Sequence, residues 1–364
     1  MKTEKSVFKV ESSKSFKISD FFKEFGDNFF SDAGEALLNG VAILGDRLVL
    51  VLGGWNVVVS IDPNEGIFHL YGGKEGVGRN KLKEPVAVSV SPKGQIFIAD
   101  WHNHRLVRLD KNFEFLSQFG SYGSISNERP FFRLLRYLKL LASSGSYIGS
   151  HFVSETGKRK RQKKSVGLFL EGFTSGVLNN GGIFSLARSI FSKNHVVNKP
   201  NGIAFFDDKI VITQKNNRCI SVYEDESPYK LVRHVVGPKE GVFFGRLGNI
   251  HFFNKNFYVC DERAGKVWKL TKDFKFIEGF EGQSSGTEED CFMPFSCCML
   301  DEIYLSVCGG HNFQIINTET KEVVYASESY GELHGIAYDN VGKNLYVADR
   351  LMSCIHVLSV SLYE

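Results

Sequence analysis

The stretch from Glu84 to Gly120, EPVAVSVSPKGQIFIADWHNHRLVRLDKNFEFLSQFG, contains four short apolar runs separated by turn residues. Pro85 to Val88 opens the first, Lys93-Gly94 turns the chain, and Gln95 to Ala99 forms the second. Arg105 to Leu109 and Phe113 to Phe119 supply the third and fourth. Short runs rich in Val, Ile, Leu and Phe, punctuated by Gly, Asp and Asn, read as consecutive β-strands, each close enough to pair with the next.

Degraded copies of this unit recur along the chain. Aligned on the residue that follows the strand-opening position, they fall at Asn39, Val86, Asn201, Gly248, Phe295 and His334, at intervals of 47, 115, 47, 47 and 39 residues. A period near 47 accommodates four strands and their connections, so six copies predict an all-β chain folded as a six-bladed β-propeller. The long interval places a single insertion between blades two and three. The last copy, LHGIAYDNVGKNLYVADRLMSCIHVLSV, leaves room for only three strands. Residues 15–26, SFKISDFFKEFG, match the closing strand FEFLSQFG of blade two and are expected to supply the fourth. Such an amino-terminal strand would close the ring and cover an edge otherwise open to aggregation. The expectation is one propeller domain over residues 1–364, with residues 121–198 a basic, partly helical insertion within it.

Ala99-Asp100 followed by Asn103-His104-Arg105-Leu106 resembles the NHL repeat. The resemblance implies a platform for partners, hence a non-catalytic binding or scaffold module for a protein or polyanion, with the propeller itself monomeric. Two further resemblances imply an alternative, a hydrolase or lyase acting at the mouth of the central channel. PNGIA at Pro200 to Ala204 is similar to the metal-binding strand start of gluconolactonase-type propellers. LHGIA at Leu333 to Ala337 is similar to motifs that carry metal-binding His in peptidylglycine amidating lyases. A lyase-like site calls for several His where this chain has Val86, Gly248 and Phe295, and a lactonase-like site calls for carboxylates, of which the aligned ring has none.

The candidate channel-mouth ligand site is therefore Asn39, Asn201 and His334, three polar groups converging on one concave opening. One His and two Asn make a poor divalent-metal site, since hard cations recruit carboxylates and zinc prefers more His or Cys. No catalytic residue, metal ligand or cofactor is assigned, and a divalent metal in the channel belongs only to the enzymatic alternative. His102 and His104 fall within the repeat signature and read as structural. Asp100, Asp261 and Asp349 end second strands, where a carboxylate can accept turn amides, while Asn103 and Asn217 suit a left-handed turn. The matching positions in the other blades are Leu52, Gln214 and Cys308.

Charge is unevenly distributed. Residues 121–198 hold twelve Lys and Arg against three acids, whereas the whole chain is only +3. Phe131, Phe132, Leu134, Leu135, Leu138 and Leu141 interleave with Arg133, Arg136 and Lys139 at helical spacing, which predicts an amphipathic helix. Lys158, Arg159, Lys160, Arg161, Lys163 and Lys164 follow as a basic run. These nine cations are the candidate contacts for an anionic membrane surface or a nucleic acid; the other reading is a lid on the propeller with its charges solvated. The seven cysteines show no CxxC or Cys/His knuckle spacing and read as buried thiols of a reducing compartment. The amino terminus has no apolar signal core, and Val41 to Ile61 breaks at Gly45-Asp46-Arg47 and Gly53-Gly54 into strands rather than a membrane span. The expected location is cytoplasmic, with peripheral membrane attachment as a variant of it.

Overall fold

The computed structural model describes residues 7–22, 34–63, 65–122, 196–283 and 292–363. Val196 aside, these belong to the unit formed by Met1–Gly123 and Val197–Glu364. Its strands form six four-stranded antiparallel sheets. Five are simple meanders of consecutive strands. The repeat that opened the sequence reading becomes Pro85–Val90, Ile96–Asp100, Arg105–Leu109 and Phe115–Phe119. The first strand of each blade packs against the first strands of the two neighbouring blades, so these strands surround the axis and the ring is closed. The chain is an all-β, six-bladed propeller.

Burial follows the same logic. The second strands are almost wholly apolar and sealed, as in Arg47–Leu52 and Ile96–Asp100, because neighbouring blades cover both faces. Fourth strands alternate between half-buried and exposed residues, as in Phe115–Phe119, since one face meets solvent. Six apolar clusters lie at the six blade junctions. The abundant Phe fills these junctions; Phe206, Phe252, Phe257 and Phe274 interlock between blades three and four with ring centroids 4.6–6.2 Å apart.

Blade six is completed by the amino terminus. Val7–Lys17 pairs antiparallel with Cys354–Tyr363, from Val7 opposite Tyr363 to Lys17 opposite Cys354. The closure expected from sequence is present, but eight residues earlier than residues 15–26 would place its start. Ile18–Phe22 is a helical turn, and Ile18 and Phe22 drop into the apolar junction between blades six and one. Within SFKISDFF the first three residues end the strand, and the apolar Ile18, Phe21 and Phe22 that follow serve a plug rather than the strand itself. The insertion expected to be partly helical, with Arg133, Arg136, Lys139, Lys158, Arg159, Lys160, Arg161, Lys163 and Lys164, falls over residues 123–195, outside the described residues. No described helix is long and apolar enough to cross a membrane. The six described cysteines are buried thiols.

The repeat aspartates act as the sequence suggests. Asp100 accepts the Lys83 amide at 2.7 Å, Asp261 the Gly245 amide at 2.9 Å and Asp349 the Gly331 amide at 2.8 Å, each tying the segment that enters a blade to the end of its second strand. The left-handed turn residue is not the asparagine, however. It is the next one, His104 in blade two and Arg218 in blade three, leaving the Asn103 amide free to donate to Asp100 at 2.8 Å and the Asn217 amide to Gln214 at 2.7 Å.

Candidate functional site

In blades one, two, three and six the inner strand carries one residue outside the pairing register directly after its opening residue. These are Asn39, Val86, Asn201 and His334. A bulge of this kind re-aims a side chain out of the sheet, and all four line one cavity of about 230 Å³ at the axis. In blade four the irregularity covers both Gly248 and Asn249, and it is Asn249, not Gly248, that reaches the cavity wall. Phe295 lines it from blade five.

The residue after each bulge is small where the blades crowd most closely. A Cβ on Gly202 would stand 2.7 Å from backbone atoms of Asn249 and Ile250, and one on Gly335 would stand 2.9 Å from Gly40 Cα. The Asn-Gly and His-Gly pairs therefore answer a packing need. The asparagines also stitch blades together: Asn39 Nδ2 donates to Pro85 O at 3.0 Å and Asn201 Nδ2 to Leu247 O at 2.9 Å. Most of the polarity that sequence assigned to a ligand is thus engaged with the neighbouring blade.

A second set of residues completes the mouth, and the repeat alignment overlooked it. Trp101, Lys215, Glu262 and Arg350 each follow the last residue of a second strand, and Glu84, Arg246 and Glu332 each precede a first strand. A backbone clip fixes the two positions against each other. Lys215 N donates to Lys199 O at 3.0 Å, Glu262 N to Arg246 O at 2.8 Å and Arg350 N to Glu332 O at 2.8 Å. The aligned ring itself holds no carboxylate, but Glu84, Glu262 and Glu332 all line the cavity from these flanking positions.

Each carboxylate meets a nitrogen group, and for Glu262 and Glu332 that group belongs to the same wall. Glu262, buried, lies 2.9 Å from Lys215 Nζ and 2.8 Å from Arg246 Nε. Glu332 lies 3.1 Å from His334 Nε2 and 2.9 Å from Arg350 Nη1, and Glu84 lies 2.8 Å from His102 Nε2. Arg350 Nε also donates to Asn39 Oδ1 at 3.2 Å, so Asn39 and His334 are joined through Glu332 and Arg350. The hydrogen bond from His334, reinforced by Arg350, holds the Glu332 carboxyl down at about 2. Burial pushes the Lys215 ammonium below its ordinary value, with Glu262 opposing the shift. The His334 ring packs on Phe295 with centroids 4.5 Å apart, and Lys199 Nζ stands 3.7 Å from the Trp101 ring centroid. His102 and His104 do not converge: His102 faces Glu84, whereas His104 Nδ1 accepts the Lys199 amide at 3.2 Å.

The NHL repeat model matches residues 82–109, the heart of blade two. No curated protein sequence matches the chain. Among solved structures the fold is similar to a streptogramin B lyase, with a TM-score of 0.52, 11% identity and 98% of each chain covered. It is also similar to the virginiamycin B lyase of Staphylococcus aureus, with a TM-score of 0.51 and 10% identity over 97% of this chain and 99% of that one. Hydrazine synthase from Kuenenia stuttgartiensis gives a TM-score of 0.50 and 12% identity over 90% of this chain and 77% of its own. At such identities the likeness concerns architecture. The protein is a six-bladed β-propeller that carries an NHL repeat in its second blade.

Proposed function

We propose that the protein is a non-catalytic binding module and that its channel mouth receives a small charged group presented by a protein partner. One observation carries this reading: Glu262 and Glu332, two of the three mouth carboxylates, are already matched by basic groups of the same wall, around a cavity of about 230 Å³. Pockets that enclose whole drug-sized ligands run from about 300 to 1,000 Å³. This one has the size of a single polar side chain or chain terminus. A mixed, preorganised set of charges favours orientation and selectivity over raw affinity.

Affinity capture from the source cell tests the proposal, comparing the intact protein with Arg350→Ala and Trp101→Ala variants of unchanged melting temperature. Partner recovered by the intact protein and lost from both variants supports it. Partner recovered equally by all three rejects it.

The enzymatic alternative draws on a specific feature, the His334–Glu332 pair and the half-buried Lys215 lining one cavity in a fold shared with two solved lyases. Perturbed ionisable groups at a concave site suit proton transfer. Turnover of a lactone, ester or lyase substrate that disappears in His334→Ala, with folding intact, would replace the binding reading. The basic run Lys158 to Lys164 supports a polyanion contact from charge alone, and its neutralisation should flatten any salt-dependent binding to RNA or anionic vesicles.

A further inference from the structure

Away from the mouth, three potential metal ligands meet beneath the closure of blade six. Asp349, Cys354 and His356 are buried, and one ligand atom from each lies within 4.8 Å of the others. His356 Nε2 is 3.5 Å from Cys354 Sγ and 3.4 Å from Asp349 Oδ2.

The arrangement does not fit a nucleophile relay. A catalytic imidazole stands between its base and its nucleophile, one on each ring nitrogen. Here the thiol and the carboxylate share Nε2, while Nδ1 is taken by Ser15 Oγ at 2.8 Å. Nor is the carboxylate contact a good ion pair, because charge-assisted N–H···O bonds are about 2.7–2.9 Å long. Blade two reaches such a length, with Arg105 Nε 2.7 Å from Asp100 Oδ2.

Two of the three separations match the edges of a coordination tetrahedron, and the third pair, Cys354 Sγ and an Asp349 carboxylate oxygen, lies within 4.8 Å. Bond lengths of about 2.0 Å to nitrogen or oxygen and about 2.3 Å to sulfur place tetrahedral ligand atoms roughly 3.5 Å apart for N and S and roughly 3.3 Å apart for N and O. The outer shell is also formed. Asp349 accepts the amides of Gly331 at 2.8 Å, Glu332 at 3.2 Å and Met352 at 3.0 Å, and the serine hydroxyl fixes the imidazole, as partners of metal-bound histidines do.

We propose that Asp349, Cys354 and His356 form a binding site for one zinc-class divalent ion, with solvent at the fourth corner. Binding forms bonds from the metal to Sγ, Nε2 and Oδ2 and releases the thiol proton to solvent, so thiolate and carboxylate neutralise the ion's two charges. The thiolate favours zinc or cobalt over magnesium or calcium. No other blade offers this set, for the corresponding trios are Asp100, Arg105 and Val107 in blade two and Asp261, Lys266 and Trp268 in blade four. The site lies where the amino-terminal strand joins the ring, so an ion there would reinforce closure.

The test is titration of chelator-treated full-length protein with Co²⁺, followed by zinc competition. The proposal predicts one equivalent bound with a thiolate-to-cobalt absorption band, and a zinc-dependent rise in melting temperature. Cys354→Ser should abolish the band, Cys260→Ser should retain it, and Ser15→Ala should keep the band with affinity about tenfold weaker. If intact protein gives neither the band nor the melting shift, the proposal fails, and a band that survives Cys354→Ser overturns it as well. Should Cys354→Ser not fold, the intact protein and Ser15→Ala still decide the matter.

Discussion

Ser15 and His356 are separated by 341 positions in the chain, yet their side chains meet at 2.8 Å, and their backbones are register partners in blade six. This contact marks the seam at which the two ends of the propeller are joined.

The seam should therefore control stability. Removing residues 1–17 would expose the edge of Cys354–Tyr363 and leave the blade with three strands, and we expect aggregation. A gentler probe is Ile18→Ala, which truncates a buried side chain in the junction of blades six and one and should cost about 2–5 kcal/mol. Denaturant unfolding measures the loss; a variant as stable as the intact protein would show that the plug contributes nothing.

A second prediction concerns the repeat aspartate. Asp100 is buried against Arg105 at 2.7 Å, so Asp100→Ala strands a buried cation and should cost about 3–5 kcal/mol. Blades one and five fill the matching positions with Leu52 and Cys308, sealed and apolar. Asp100→Leu combined with Arg105→Leu should accordingly be milder than Asp100→Ala, which thermal melts of the single and double variants will show.

Gly202 gives a sharper test of blade spacing. A methyl group there must push against the backbone of Asn249 and Ile250, so Gly202→Ala should destabilise by about 1–3 kcal/mol even though alanine suits a strand better than glycine. Gly45, whose Cβ direction is open but whose φ is +63°, should tolerate Asn far better than Gly202 tolerates Ala.

Acid sensitivity should trace in part to His251. Its Nε2 is buried without a hydrogen-bond partner among the described residues, and burial depresses its pKa to about 4. An unfolded histidine titrates near ~6.5. Above that pH the ring is neutral in both states and its contribution to stability is fully present. As pH falls from about 6.5 through about 4, the unfolded chain takes up a proton that the folded one resists, and stability is lost. His251→Phe should shrink the drop in Tm between pH 7.5 and pH 5 by about 2 °C or more. An unchanged drop would assign the acid sensitivity elsewhere, with His234, also held at about 4 by burial, the next group to vary.

Much of this architecture was legible because short apolar runs, turn residues and a strand-ending Asp recur at a fixed period, and each answers a local physical demand. The closing strand was legible in kind but not in position. Phe16, Ile18, Phe21 and Phe22 are apolar for the sake of the junction they enter, and strand-like alternation cannot distinguish a strand from the plug that follows it. The mouth was half legible. Asn39, Asn201 and His334 occupy bulges and do line the cavity, whereas Trp101, Lys215, Glu262 and Arg350 occupy positions that read as ordinary turn residues. The available signal was their place one residue beyond the repeat's Asp position, where three of them are charged although the turns around them differ.

The central claim is that partners engage the channel mouth, and hydrogen exchange on the captured complex tests it most directly. The account predicts slowed exchange at the loop amides around Glu84, Trp101, Lys215, Glu262, Glu332 and Arg350, with the outer strands Phe115–Phe119 and Phe276–Glu281 unchanged. Protection confined to the outer strands, with the mouth exchanging as in the free protein, would contradict it.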